Sequence, residues 1–109
     1  MAIKANIVID QGTDYETVIN VTDENGDIVD LTGYTGAAQM RKHYTSSAQT
    51  AFTVTVSAQS GAITLAMNSA TTNAISSGRY VYDCELRNAS NVVSRLVEGI
   101  VTVTPQVTR

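Results

Sequence analysis

Residues 78–86 read Gly-Arg-Tyr-Val-Tyr-Asp-Cys-Glu-Leu. Tyr80, Tyr82, Cys84 and Leu86 share one parity. Arg79, Val81, Asp83, Glu85 and Arg87 share the other. A period of two over this length is a half-buried β-strand, because successive side chains on a strand point to opposite faces. No helical face can be drawn through it. The segment also carries two of the six aromatic side chains in the chain. Its Tyr80–Leu86 face is therefore expected to carry much of the core's bulk, packing on Ile19, Met40, Ile63 and Leu65.

Outward from this strand the same alternation recurs. Before it, the chain shows strands at 3–9, 15–22 and 34–43, then around Phe52-x-Val54-x-Val56 and Ile63-x-Leu65-x-Met67. After it, Asn88-Ala-Ser-Asn91 turns the chain into a long strand over 92–104. Glu98-Gly99 marks a place for a bulge, and Pro105 ends the ladder. Asn25-Gly26, between apolar runs, is a hairpin signal. Asp30-Leu31-Thr32-Gly33 is a second tight bend in which Asp30 and Thr32 bond the local backbone. Small residues at 36–38 imply close approach by a neighbouring sheet or chain. Only residues 69–75 suit a helix, and Thr71, Thr72 and Asn73 limit it to a turn or two capped by Ser69. The fold class predicted is all-β: an antiparallel Ig-like β-sandwich of seven to eight strands with at most one short helical turn. The domain reading is one β-sandwich over residues 1–109, a length that buries roughly two-thirds of its unfolded surface.

Composition excludes several function classes. Net charge is −3, with no basic stripe, which argues against a nucleic-acid partner. No apolar run reaches signal-peptide or transmembrane length, so no membrane partner is expected. The single cysteine, Cys84, forbids an internal disulfide. On an inward strand face, flanked by Asp83 and Glu85, it reads as a small buried hydrophobe and not as a nucleophile.

Acids crowd the first 30 residues, and Asp23-x-Asn25-x-Asp27 resembles the opening of a calcium loop. The EF-hand pattern needs Gly at its sixth position and Glu at its twelfth. Ile28 and Tyr34 stand there, so an EF-hand is excluded and the acids read as solvated turns. His43, the only histidine, stands alone beside Lys42 at a strand end and cannot assemble a zinc site with one cysteine. Asp83 and Glu85 share an outward face and suit cross-strand pairing with Arg95 or Arg87. No catalytic, cofactor-binding or metal residues are assigned, and no cofactor is expected. Tyr44, Tyr34 and Tyr15 are the aromatics available for a stacked ligand.

Several segments in order carry a resemblance: Asp27-Ile-Val-Asp-Leu-Thr-Gly-Tyr34, Gln39-Met-Arg41, Gly61-Ala-Ile-Thr-Leu65, Gly78-Arg-Tyr-Val-Tyr-Asp83, Val93-Ser-Arg95 and Glu98-Gly-Ile-Val-Thr-Val103. Together they resemble small β-sandwich virion structural proteins of tailed bacteriophages. The nearest likeness is to the N-terminal domain of phage baseplate upper proteins. The resemblance implies a non-enzymatic tail, baseplate or neck component. Such a protein would be made in the host cytoplasm and located in the virion. It would bind other virion proteins and assemble as a homo-oligomer through strand edges and loops. The alternatives are a capsid decoration (cement) protein and a carbohydrate-binding module.

Overall fold

The computed structural model describes residues 3–23 and 25–108. Eight strands and one short helix follow in chain order: β1 (Ile3–Lys4), β2 (Ile7–Asp10), β3 (Tyr15–Asn20), β4 (Thr35–Arg41), β5 (Thr50–Ser57), β6 (Ala62–Met67), α1 (Ser69–Asn73), β7 (Gly78–Arg87) and β8 (Val93–Thr104). The chain is all-β apart from α1. Along the sheet the strands lie in the order β1–β8–β7–β4–β5–β6–β3, with β2 also on β8. The alternation read at residues 78–86 is the observed one. Tyr82, Cys84 and Leu86 are buried, and β7 lies between β4 and β8, antiparallel to both.

The sheet curls at β5. Thr50, Ala51 and Phe52 pair with β4, whereas Thr53 to Ser57 pair with β6. One continuous strand thus belongs to two halves. The β3–β6 half turns over the β4–β7–β8 half, and the inward residues of both meet in a single core. Phe52, Ile63, Leu65 and Met67 come from one side. Met40, Tyr82, Cys84, Val97, Val101 and Val103 come from the other. Phe52 bridges the halves, with its ring centroid 6.1 Å from Tyr82 and 6.5 Å from Tyr15 in tilted and edge-on contacts. The small residues of β4 serve this closure. A Cβ on Gly36 would lie 2.7 Å from Cγ1 of Val54 in the opposing half.

One edge departs from the antiparallel expectation. β1 and β2 run parallel to β8, so the sheet is mixed. The first and last strands are joined by no hairpin, and alternation within a strand says nothing about which strand lies beside it. β1 and β2 keep the same offset against β8 and are one edge strand interrupted at Ala5–Asn6. There the Ala5 carbonyl turns away to accept from the Tyr82 hydroxyl at 2.6 Å, and the Asn6 side-chain oxygen accepts the Ile100 amide at 3.0 Å. Gly99 makes this possible, since a Cβ there would sit 2.1 Å from the Ala5 carbonyl oxygen.

The bulge lies at Leu96, not at Glu98-Gly99. Cys84 faces Val97 and Glu85 faces Arg95, which leaves Leu96 as the extra residue on β8. An inserted residue reverses the parity of everything beyond it. Val97, Val101 and Val103 point inward, while Val93 and Arg95 point out. Glycine at position 99 serves the N-terminal strand, which sequence periodicity does not place there.

Both ends of the core are plugged. Leu31, 1% exposed, fills one end, and its amide donates to the Ala58 carbonyl at 3.0 Å. The Asp30 carboxylate accepts from the Thr32 amide at 3.0 Å and the Thr32 hydroxyl at 2.6 Å. These bonds hold it below the usual carboxylate range. Gly33 follows at φ +83°, a conformation that glycine adopts without Cβ strain. At the other end sits α1. Its cap is Asn68, whose Oδ1 accepts the Thr71 amide at 2.8 Å, whereas the Ser69 amide bonds Asp14 at 2.7 Å. Ser69 therefore lies inside the first turn and does not cap it. Fully buried Thr72 donates to the Thr13 carbonyl at 2.7 Å and accepts from the Gly12 amide at 3.1 Å. A five-residue helix of weak formers is thus held by tertiary bonds and not by propensity.

Candidate functional site

The outward faces of β4, β7 and β8 form a three-row ladder. Ala37 faces Glu85, which faces Arg95. Gln39 faces Asp83, which faces Glu98. Arg41 faces Val81, which faces Ile100. Ala37 leaves room that longer neighbours do not fill, and a depression of about 370 Å³ opens there. Tyr44 stands at its rim, 82% exposed. The Leu96 bulge helps create this site. Without the parity change, Arg95 would point toward the core.

Arg95 organises the floor. Its guanidinium lies 3.4 Å from the Asp83 carboxylate and 3.0 Å from that of Glu98. Both pairs are solvent-accessible, so their worth lies in arrangement more than in stability. Glu85 forms no ion pair among the described residues. Arg41 organises the wall. It donates to the Ser46 carbonyl at 2.5 Å and to the Gln39 side-chain oxygen at 3.1 Å. The Ser46 amide donates to the His43 carbonyl at 3.0 Å, closing the turn that presents Tyr44. Lys42, 4.9 Å above the Tyr80 ring, anchors the start of this loop. The groove gathers two cations, three carboxylates and one free aromatic face. It suits a polar or cationic group of a partner.

Of the residues singled out by sequence, Asp83, Glu85, Arg95 and Tyr44 line the groove, and the others lie elsewhere. Cys84 is fully buried, and burial, with Asp83 and Glu85 adding, pushes its thiol up to about 11. Asp23 uses its Oδ1 to accept the amides of Asn25 and Asp27 at 2.9 and 3.0 Å. Glu24, another acid of that turn, lies outside the described residues. Among the described residues, no three His, Cys, Asp or Glu side chains converge as metal ligands. His43 is exposed in the loop, its amide bonded to the Ser46 hydroxyl. Of the three tyrosines weighed for stacking, Tyr15 and Tyr34 pack against the core. Burial raises the Tyr15 phenol above its ordinary range. Only Tyr44 is free. Asp83 does pair with Arg95, as its outward position implies. The groove itself escaped the sequence reading, because it depends on the β4–β7–β8 register and on the bulge.

No protein-family model matches the chain, and no curated protein matches it by sequence. Among solved structures 181 chains match, so the architecture recurs and does not by itself select a function. One is an internalin-like protein of Listeria monocytogenes, at a TM-score of 0.53 and 17% identity. The match covers 94% of this chain and 28% of that one, so the chain spans under a third of that protein's length. At this identity the likeness concerns the fold alone.

Proposed function

We propose that this chain is a non-enzymatic structural protein of a bacteriophage virion, a tail, baseplate or neck component whose curled sheet serves as an Ig-like sandwich module. It docks on other virion proteins through strand edges, loops and the groove beneath Tyr44. What supports this reading is the resemblance of the ordered set of motifs to those of phage baseplate upper proteins. Three of them have a scaffold task here. Asp30-Leu31-Thr32-Gly33 closes one end of the core. Tyr80 and Tyr82 fill the inward face of β7, with Tyr82 reaching across to the N-terminal strand. Glu98 to Val103 carries that strand.

Capsid decoration is the variant of this reading in which the same surfaces dock on the shell. Immunogold labelling of particles of the phage that encodes the chain tests both. Label at the tail or neck supports the first, and label over the head supports the second. Unlabelled particles would remove the virion role. A carbohydrate-binding module is the second reading, favoured by the free ring of Tyr44 over a groove rich in hydrogen-bonding groups. A glycan array that binds the wild type but not Tyr44→Ala would support it.

A further inference from the structure

The sheet has two lateral edges, and they are unlike. On one, the β1/β2 strand is broken at Ala5–Asn6, where the backbone is diverted to Tyr82 and a side chain takes its place. A kinked edge is a poor template for another strand. The other edge is β3, six residues in unbroken register with β6. Tyr15-Glu-Thr-Val-Ile-Asn20 contains no Lys, Arg or Pro and no bulge, so of the usual devices that discourage edge pairing only the charge of Glu16 is present.

Its free groups can be identified. The Val21 amide donates to the Gly61 carbonyl at 2.7 Å, continuing the register in which Asn20 faces Ala62. Backbone polar groups alternate sides along a strand. Tyr15, Thr17 and Ile19 therefore spend theirs on β6, while Glu16, Val18 and Asn20 aim theirs at the open edge. The same three side chains are exposed on the outer face, Val18 at 53%. Around them β6 and β5 present Ala66, Thr64, Thr53 and Thr55, none of them charged.

We propose that β3 is the interface for a second copy of this chain, pairing antiparallel with the partner's β3 about a two-fold axis through Val18. In this register Val18 meets its own equivalent and Glu16 meets Asn20 twice. Each pair exchanges two backbone hydrogen bonds, so all three outward residues are satisfied on both copies. Other registers are worse. An axis through Glu16 opposes two carboxylates. An axis through Thr17 sets Asn20 against Asp14, whose carboxylate is committed to the Ser69 amide. An axis through Ile19 sets apolar Val18 against Asn20, and an axis through Asn20 sets it against Thr22, so neither matches like with like. The Val18 register is self-complementary: a carboxylate faces an amide and an apolar side chain faces its like. That favours a second copy over a foreign strand.

This dimer specifies one contact of the assembly proposed above but is read on the isolated chain. Particles without the protein would remove the virion role and leave the dimer untouched. Sedimentation of the full chain over a wide concentration range tests it. The wild type is expected to show a monomer–dimer equilibrium. Val18→Lys and Val18→Glu should each weaken it about tenfold or more, because like charges then meet on the axis. Their melting temperatures should stay near that of the wild type, since Val18 faces solvent. An equimolar mixture of the two variants should recover association, because opposite charges then meet. Asn20→Lys should tighten the dimer by facing Glu16. A strictly monomeric wild type, a dimer indifferent to both charges, or a mixture that fails to associate would each overturn the proposal.

Discussion

Removing one oxygen atom at Tyr82 separates two roles that the residue plays at once. Its ring is 5% exposed and lies edge-on to Phe52 at 6.1 Å, in the centre of the core. Its hydroxyl donates to the Ala5 carbonyl at 2.6 Å and so ties β7 to the interrupted edge strand beneath β8. Tyr82→Phe keeps the ring and loses the bond. The Ala5 carbonyl is left without its partner, and the expected cost is about 1–3 kcal/mol. Tyr82→Ala loses the ring as well, and large aromatic truncations in cores cost about 3–5 kcal/mol. Urea melts at neutral pH measure both, provided that the slopes agree.

Alkaline pH supplies an independent reading of the same residue. Burial pushes the Tyr82 phenol up to about 12, with Tyr15 and Cys84 adding to the shift. In the unfolded chain it ionises near its ordinary value of about 10. The folded protein therefore holds a proton that the unfolded chain releases. The stability is full below pH 10 and is lost as pH rises from about 10 to about 12, by about 2–3 kcal/mol. Tyr15 and Cys84 decline in the same direction, so the readout is the difference between proteins. Wild type should lose more stability across this window than Tyr82→Phe. Parallel pH profiles, or a Tyr82→Ala cost below about 1 kcal/mol, would refute the placement of Tyr82 in the core.

Three further substitutions probe the other joints. Gly99→Ala drives a methyl into the Ala5 carbonyl; it should cost about 1–3 kcal/mol and expose the amides of Ile7–Asp10 to hydrogen exchange ahead of the rest of the sheet. Thr72→Val removes the hydroxyl that joins α1 to the Gly12–Thr13 turn; a loss of about 1–3 kcal/mol is expected in thermal melts, with Thr72→Ser close to wild type. Arg41→Ala should cost about 1 kcal/mol or less in stability, yet free the loop that carries Tyr44, seen as faster amide exchange at residues 43–47; Arg41→Lys should not restore it, because one ammonium cannot span both acceptors.

The groove marks where sequence reading stopped. Asp83 and Glu85 were legible as outward residues of β7, and the pairing of Asp83 with Arg95 followed from the strand pattern. The depression was not legible. It needs Ala37 beside Glu85, the Leu96 bulge that turns Arg95 outward, and the Arg41 bonds that hold Tyr44 over the rim. None of these is a periodic feature of a single segment. Each is a relation between segments.

Side-chain alternation and turn residues determined, by themselves, that this chain is all-β, which residues of the central strand β7 face inward, and where the tight turns fall. The reason is local: the pleat fixes a period of two, and Asp, Asn and Gly carry their turn preferences wherever they stand. Tertiary structure alone decided that the first strand returns parallel beside the last, that β5 serves both halves of the sheet, and that the β3 edge remains open. Those outcomes depend on which surfaces meet. The meeting of Gly99, Ala5 and Tyr82, far apart along the chain and within bonding distance in space, is the clearest case.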